Sequence, residues 1–375
     1  MREFSTIAPE DLTQIKSIFG IDTFFATETA SYQDGIIVKG NLRGEPQEAY
    51  TKLSAKLKSL CNDKYNLFLV ESTEDKPIVI VLPSNSNPAT TNLSQKNLAL
   101  VLLVATIFTS LEASSALLGF DFFKQTNRFA ESFPLALALL AILGVHELAH
   151  QIMAKRYAVK LSIPFFLPTW QIGSFGAINR FESLVPNRQA LFDIALAGPV
   201  VGGIVSLIIL LFGLFVSNAA SILQIPSAIF HSSLLVSILA HFVLGNALSE
   251  PMIYISPLVP LGWLGLTINA LNLLPAGQLD GGRIALAVYG RKIARLITLA
   301  TIVILGLVIL GNPENSLALY WEMVILFLQR ELEKPSLNEI TELDSTRDLL
   351  GLLALFVSLI ILVPVTPWLS ARFGL

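Results

Sequence analysis

The segment 144–151 carries two histidines and a glutamate at a spacing suited to binding a metal ion. His146 and His150 are four residues apart, so on a helix both imidazoles project from one face about one turn apart. Such a pair can bind a single Zn²⁺, with Glu147 beside it to take a proton from a water molecule. A His-Glu-x-x-His string also occurs by chance, usually on a solvated helix. This one lies in the apolar segment 134–153, where ionisable groups are costly and indicate function.

The segment 269–283 offers the third protein ligand that a catalytic zinc site needs besides an open position for water. Asp280 is the only acidic residue between positions 251 and 280. Pro275 and Gly277 interrupt the helix, so Asp280 can be presented from unwound backbone that lines a cavity. Asp280 could instead be only the N-cap of a helix that starts near Gly281. We expect it to lie at the same depth as the two histidines.

The composition places this chain among polytopic membrane proteins. Hydrophobic residues make up 53% and charged residues only 14%, and the mean hydropathy is +0.65. Soluble domains are nearer a quarter charged. The formal net charge of −3 argues against a nucleic-acid partner, and the single cysteine, Cys61, excludes an intrachain disulfide. The N-terminus has no signal or transit pattern, so we expect the mature protein to begin near Met1.

The polar and apolar segments divide the chain into three parts. Residues 1–83 predict a small soluble α+β domain with the element order α-β-β-α-β-β. Residues 84–96 form a polar linker rich in Asn, Ser and Thr. Residues 97–375 predict a transmembrane metalloprotease domain with its catalytic core at 134–283. The fold expected is an α-helical polytopic membrane protein of about seven transmembrane helices, with a membrane-embedded hairpin and this soluble domain.

The seven predicted spans follow from apolar length and from the distribution of lysine and arginine. They are residues 97–120, 134–153, 189–216, 257–279, 293–310, 317–328 and 349–368. The cations that follow the second and fourth spans, beginning at Lys155 and Arg283, mark the cytoplasmic side, which should also hold the active-site end and the N-terminal domain. Residues 229–244 are short for a crossing and should lie on the outer face. His231 and His241 are therefore expected not to be ligands.

Residues 161–188 are apolar but interrupted by several prolines and glycines. Alternating stretches such as 171–181 could pair as a hairpin that dips into the membrane beside the metal. The free edge of such a hairpin could receive an extended substrate by strand addition. The alternative is a loop that lies only at the membrane interface.

These motifs together resemble those of the site-2 proteases, the intramembrane zinc metalloproteases of peptidase family M50. The resemblance is carried by the string at 146–150, by Asn272-Leu-Leu-Pro275 and by Leu279-Asp280-Gly281. The string at 173–178, GSFGAI, resembles the membrane-embedded hairpin of that family. The whole chain is most similar to the EGY-type branch of plastids and cyanobacteria, through residues 40–44, 185–188, 230–233 and 341–347. Gly202 departs from the asparagine that most site-2 proteases have there, which affects helix packing more than chemistry.

The resemblance implies a role for each matching residue. One Zn²⁺ per chain would be held by His146, His150 and Asp280, with Glu147 as the general base. Asn272 would hold the substrate backbone or the oxyanion. Further candidates for substrate binding are Gly173, Ser174, Phe175, Gly176 and Asn269.

The function expected is hydrolysis of peptide bonds within or near the transmembrane helices of membrane proteins. The expected partners are those substrates, the lipid bilayer and a regulatory partner for residues 1–83, in a cyanobacterial plasma or thylakoid membrane. One alternative is a non-catalytic membrane scaffold or chaperone of the same fold, against which the intact Glu147 argues. A second is a metal transporter, which would need acidic or histidine groups along a route and not at one depth.

Overall fold

The computed structural model describes residues 7–311, except 73 and 75, and residues 316–366. Within them, an N-terminal α+β region precedes a mostly helical part. The N-terminal elements are α1 (Pro9–Ser17), β1 (Phe24–Tyr32), β2 (Gly35–Leu42), α2 (Pro46–Cys61), β3 (Tyr65–Glu71) and β4 (Pro77–Pro83). The strands form one sheet in the order β1-β2-β4-β3, and every neighbouring pair is antiparallel. Its core is built from fully buried side chains such as Ile15, Phe24, Leu53 and Leu69.

The first half of the helical part contains three long helices and a hairpin. They are α3 (Leu93–Leu117), α4 (Phe129–Arg156), the strands β5 (Phe165–Thr169) and β6 (Gly173–Ile178), and α5 (Arg188–Val216). Asparagine caps fix two of these starts, because Asn92 accepts from the backbone of Gln95 and Asn187 from that of Ala190. The hairpin pairs residues 165–169 with 173–178, so it begins earlier than the alternation at 171–181 suggested.

The elements of the second half are β7 (Leu223–Pro226), α6 (Leu234–Leu244), β8 (Met252–Ile255), α7 (Leu258–Asn272), α8 (Asp280–Gly311), α9 (Ser316–Val324) and α10 (Ser345–Leu362). Strand β7 pairs antiparallel with β8 across the intervening helix α6. Helix α8 is broken at Gly290, whose φ of 74° and ψ of 173° are not helical. Its first part therefore runs from Asp280 towards that glycine, and its second part is the long apolar segment.

The lengths of the helices support a multi-pass membrane protein, as predicted. Among the described residues, α3, α4, α5, α8 and α10 are long and apolar enough to cross a bilayer. Helix α7 has 15 residues, about 22 Å at 1.5 Å per residue, and residues 318–327 form a second short apolar helix. Both fall short of a ~30 Å hydrocarbon layer. The count of seven spans, two of which rest on these short helices, therefore stays a prediction. Residues 367 and 368 of the last predicted span lie outside the described residues.

The two ends of the helical part differ in what they contact. At one end, Arg347 of α10 donates to both carboxylate oxygens of Asp193 of α5, at 2.8 and 2.7 Å. The N-terminal sheet is at this end, because Leu337 bonds through its backbone both to Leu69 of β3 and to Val185 just before α5, each at 2.8 Å. At the other end of α10, the backbone nitrogen of Val365 donates to the carbonyl of His231 at 2.7 Å.

Candidate metal centre

Helix α4 brings His146 and His150 together as their spacing predicts. Their Nε2 atoms are 3.0 Å apart. Both imidazoles are buried, with 6% and 1% of the residues exposed. Apolar residues on either side extend the helix as one of the long candidate spans, so the pair lies within the packed helices.

Asp280 reaches the histidines from a distant part of the chain. Its Oδ2 lies 3.3 Å from the Nε2 atoms of both His146 and His150. Helix α7 ends at Asn272 and α8 starts at Asp280, so the intervening backbone is unwound. Hydroxyl groups of α8 support that backbone: Thr298 accepts from the Gly277 nitrogen at 3.0 Å. Asp280 therefore both opens a helix and faces the histidines, which combines the two interpretations that its sequence left open.

The hydrogen bonds behind the histidines fix their tautomers. His150 Nδ1 lies 2.7 Å from the carbonyl oxygen of Ile194, which can only accept, so this nitrogen carries the proton. His146 Nδ1 lies 2.9 Å from Asn269 Oδ1. The amide of Asn269 is oriented by its Nδ2, which donates to the carbonyl of Gly265 at 2.7 Å. His146 Nδ1 is therefore also a donor, and both Nε2 atoms are left with lone pairs.

This arrangement fits a bound cation. Two lone pairs 3.0 Å apart and a carboxylate oxygen 3.3 Å from each repel one another unless a positive charge lies among them. Ligands at the corners of a tetrahedron around Zn²⁺, with bonds of about 2.0–2.1 Å, are about 3.3–3.4 Å apart. Two imidazoles and one carboxylate also form a ligand set typical of catalytic zinc, which leaves a fourth position open. His146, His150 and Asp280 therefore fit Zn²⁺ in both chemistry and spacing.

Glu147 lies beside His146, His150 and Asp280 but is not one of the three proposed ligands. Its Oε1 is 4.0 Å from His146 Nε2, and its Oε2 accepts from Asn179 Nδ2 at 3.2 Å. A cavity of about 10 Å³, roughly the space for one water molecule, is lined by residues that include His146, Glu147, Gly176 and Asn272. Glu147 can therefore accept a proton from a small molecule held beside the metal position.

Two glycines of α5 make room for the histidines. A Cβ atom at Gly198 would overlap the imidazole of His150. A Cβ atom at Gly202 would lie 2.6 Å from Asn269 Oδ1 and 3.1 Å from the Cβ of His146. The departure from the family pattern at Gly202 thus has a packing reason, since the space beside His146 is taken by Asn269 of the facing helix α7.

The candidate substrate-binding residues divide into two groups. Gly176 lies beside Asn272, because a Cβ added there would be 3.0 Å from the amide nitrogen of Asn272. Gly173, Ser174 and Phe175 belong to the same strand, β6. The Ser174 hydroxyl is used inside the hairpin, where it donates towards the carbonyls of Leu167 and Gly176. Asn269 accepts a hydrogen bond from His146 Nδ1 and also lines the small cavity beside Glu147, so it is placed to orient the histidine and its role in substrate binding stays a prediction.

Three groups around the site were missed by reasoning from the sequence: the carbonyl of Ile194, Asn179 and Arg283. Ile194 contributes only a backbone atom, for which a sequence carries no signal. Asn179 follows β6 directly and is 7% exposed, while Arg283 is 2% exposed. A polar residue next to the hairpin motif and a cation in the first turn of α8 were the available signals.

Comparison with known proteins identifies the family to which the chain belongs. Residues 134–311 match the family profile described as "Peptidase family M50", and residues 13–89 match "EGY3 middle domain". "Probable zinc metalloprotease EGY2, chloroplastic" of Arabidopsis thaliana is 40% identical over 92% of this chain and 63% of its own length. The chain thus spans less than two thirds of that relative. No solved structure matches.

The EGY1 and EGY3 relatives are covered more fully. "Probable zinc metallopeptidase EGY3, chloroplastic" of Arabidopsis thaliana is 33% identical over 94% of this chain and 65% of its own length. "Probable zinc metalloprotease EGY1, chloroplastic" of the same plant is 37% identical over 98% of this chain and 74% of its own length. From these matches and the M50 profile over the metal-binding region, the chain belongs to peptidase family M50, in the branch of the EGY zinc metalloproteases.

Proposed function

We propose that this protein is a zinc metallopeptidase that hydrolyses peptide bonds within or near the transmembrane helices of membrane-protein substrates. The observation that carries the proposal is the placement of a two-histidine, one-aspartate group beside Glu147 among long apolar helices. A metal ion bound by these residues would contact its substrate within the membrane-spanning part of the protein. A peptide bond that reaches it belongs to an apolar segment or to its flank.

The metal ligands, Glu147 and Asn272 each have a separate role in the proposed reaction. Zn²⁺ bound by His146, His150 and Asp280 would supply a nucleophile, because it would lower the pKa of a bound water molecule to about 7. Glu147 takes the proton of the attacking water and later delivers it to the leaving amine. Asn272 Nδ2 lies next to Gly176 at the cavity. It donates a hydrogen bond to the carbonyl oxygen of the substrate peptide bond as negative charge develops on that oxygen.

The substrate has to unwind before it can be cut. The carbonyls of a transmembrane helix are satisfied by its own backbone, so a helical peptide bond is closed to attack. Strand β6 is next to the cavity through Gly176, and an extended segment placed along it can exchange its helical hydrogen bonds for bonds to a strand. This makes the hairpin the site at which we place the unwound substrate.

The test is cleavage of a model substrate by the purified full chain in detergent. The substrate is a single apolar helix with short polar flanks, and mass spectrometry locates the cut. We expect wild type to cut within the apolar segment or its flank, and Glu147→Gln to retain zinc while losing at least roughly a hundredfold in rate. Glu131→Gln is the matched control, because Glu131 lies in the first turn of the same helix and pairs with Arg128. Equal rates for wild type and Glu147→Gln, or cuts confined to soluble substrates, would contradict the proposal.

We also propose that the soluble region and the metal group face the cytoplasm of a cyanobacterium, in its plasma or thylakoid membrane, and that the soluble region binds a regulatory partner. The orientation is supported by three cations at the end of α4. Lys155 and Arg156 lie in its last turn, and Lys160 follows the helix. The native Cys61 is buried, so thiol labelling of introduced cysteines has a low background. A Ser232→Cys variant should react only from outside, and Lys160→Cys only from inside. The reverse labelling pattern would contradict this orientation.

A further inference from the structure

The general base Glu147 is held by an amide on the side away from the metal position. Its Oε2 accepts from Asn179 Nδ2 at 3.2 Å, and both side chains are buried, with 5% and 7% of the residues exposed. The carboxylate group of a glutamate rotates easily about the bond to its side chain unless one of its two oxygens is held by a hydrogen bond. The hydrogen bond from Asn179 leaves Oε1 directed towards His146, from which it is 4.0 Å away.

Arg283 determines which way the Asn179 amide faces. Its NH1 donates to Asn179 Oδ1 at 2.7 Å, and its NH2 donates to the carbonyl oxygen of the same residue at 2.9 Å. A guanidinium has donors and no acceptor, so the amide oxygen faces Arg283 and the NH2 group faces Glu147. If Arg283 were absent, the amide oxygen would lose its donor, and only the hydrogen bond to Glu147 would hold the Asn179 side chain in this orientation.

Arg283 is itself fixed from the opposite side. Its Nε and NH2 lie 3.2 and 3.1 Å from Glu333 Oε2, and its Cζ is 4.8 Å from the centre of the Phe181 ring. Arg283 and Glu333 are 2% and 8% exposed. The four side chains thus form an unbroken chain of contacts from Glu333 through Arg283 and Asn179 to Glu147.

The segment that carries Glu333 is anchored on the N-terminal sheet. Leu69 of β3 donates to the carbonyl of Leu337 at 2.8 Å and accepts from the nitrogen of Glu339 at 2.9 Å. On the membrane side, Arg291 of α8 pairs with both carboxylate oxygens of Glu339 at 2.9 Å and donates to the carbonyl of Glu333 at 2.7 Å. The position of Glu333 is therefore set jointly by the soluble sheet and by α8.

We propose that Asn179 and Arg283 are positioning residues for Glu147 and that residues 333–339 anchor them to the N-terminal sheet. The inference rests on the proposed function, because Glu147 has its role as general base there. Asn179 and Arg283 act through Glu147 and need no contact with substrate. Loss of Asn179 should lower kcat and leave KM and zinc content unchanged, because substrate contacts and metal ligands stay in place. Loss of Arg283 should also lower kcat, and its zinc content is a separate measurement, because Arg283 NH1 also lies 3.9 Å from Asp280 Oδ1.

The kinetic test uses the purified full chain and the single-helix substrate. Asn179→Ala removes the donor to Glu147, and we expect kcat to fall roughly tenfold to a hundredfold, as for loss of a hydrogen bond to a charged group. Arg283→Gln should have a similar effect. Arg283→Lys keeps a charged donor beside Asn179 and Glu333 and should retain more activity. Arg180→Gln is the matched control, because Arg180 is the next residue along, is exposed, and contacts the Phe165 ring instead.

A second readout needs no activity. The infrared carboxylate bands of Glu147 are obtained as the difference between each protein and the same protein with Glu147→Gln. We expect these bands to shift in Asn179→Ala and Arg283→Gln, and to stay unchanged in Arg180→Gln. Metal analysis of each variant separates a loss of zinc from a loss of positioning.

The outcomes separate this inference from the proposed function. If wild type cleaves and Asn179→Ala cleaves with the same kcat and unshifted bands, the positioning role is wrong and the peptidase assignment stands. If wild type does not cleave, the proposed function fails, and the infrared comparison still decides whether Asn179 and Arg283 hold the carboxylate. A fall in zinc content equal to the fall in kcat would also overturn the inference, because the residues would then be structural supports of the metal site.

Discussion

The Nε2 atoms of His146 and His150 lie 3.0 Å apart, and the Nδ1 proton of each imidazole is used in a hydrogen bond behind the ring. The two rings therefore cannot share a proton between their facing nitrogens without adding a positive charge. The carboxylate oxygen of Asp280, 3.3 Å from both, supplies the negative charge that favours a cation in the same place. A cation bound at this position would join α4 to the start of α8, and so would stabilise the packing of these helices.

The first prediction concerns Asp280. Asp280→Asn keeps the size of the side chain and removes its charge. Zinc affinity should therefore fall by more than the ~10–100-fold that is typical when a residue hydrogen-bonded to a metal ligand is replaced. Zinc per chain, measured after dialysis against a competing chelator, tests this. Asp121→Asn, in the loop after α3, is the control and should retain full zinc. Full zinc content in Asp280→Asn would remove Asp280 from the ligand set.

The second prediction concerns the close approach of α5 to α4. Gly198→Ala would place a methyl group on the imidazole of His150, so we expect loss of zinc and of cleavage in a protein that still inserts as a multi-pass chain. Gly203→Ala on the same helix meets open space and should behave like wild type. Equal zinc content in the two variants would show that the helices can separate without cost.

The third prediction concerns Asn269. Asn269→Ala leaves the Nδ1 proton of His146 without its acceptor, and zinc affinity should fall about 10–100-fold. A zinc competition titration measures the change. Thr267→Ala, also on α7, removes a hydroxyl that bonds only its own helix, to Trp263, and serves as control. A substrate-binding role for Asn269 predicts the opposite result: raised KM with unchanged zinc affinity.

The fourth prediction concerns alkaline stability of the N-terminal region. Burial, with a hydrogen bond to Asp11 and the charge of that carboxylate, raises the pKa of Tyr65 from 10.0 to about 12, and burial alone raises the pKa of Tyr50 to about 12. Between pH 10 and 12 the unfolded region releases protons that the folded region keeps, so its stability falls as pH rises. Protease protection of the region in the full chain should show this loss. Replacing both residues with phenylalanine should flatten that part of the profile, and an unchanged profile would contradict it.

The predictions from sequence that succeeded concern local spacing and rare polar residues in apolar segments. The family and the Zn²⁺ cofactor are confirmed by the relatives and by the metal-capable group at His146, Glu147 and His150. The structure brings Asp280, the only acidic residue between positions 251 and 280, to the histidines, and its role as a metal ligand stays a prediction. The break before it was expected from Pro275 and Gly277, and the helix in fact ends earlier, at Asn272.

The parts that sequence could not give are contacts between distant helices. Nothing local links Gly202 to Asn269 or Arg283 to Asn179, since each pair meets only after α4, α5, α7 and α8 have packed. The number of spans is also not determined by the sequence alone. Hydropathy does not distinguish an apolar helix that faces lipid from a shorter one, such as α7, that is largely enclosed by protein.

The backbone contacts of Leu337 and Glu339 with Leu69 also have a consequence for the outer rim of the soluble sheet. They occupy the side of β3 that would otherwise be an open edge. At the opposite rim, β1 pairs only with β2 among the described residues, and every residue of β1 after Phe24 is exposed. A protein that extends this sheet by one strand therefore has a single rim available, the one farthest from the membrane helices in strand order.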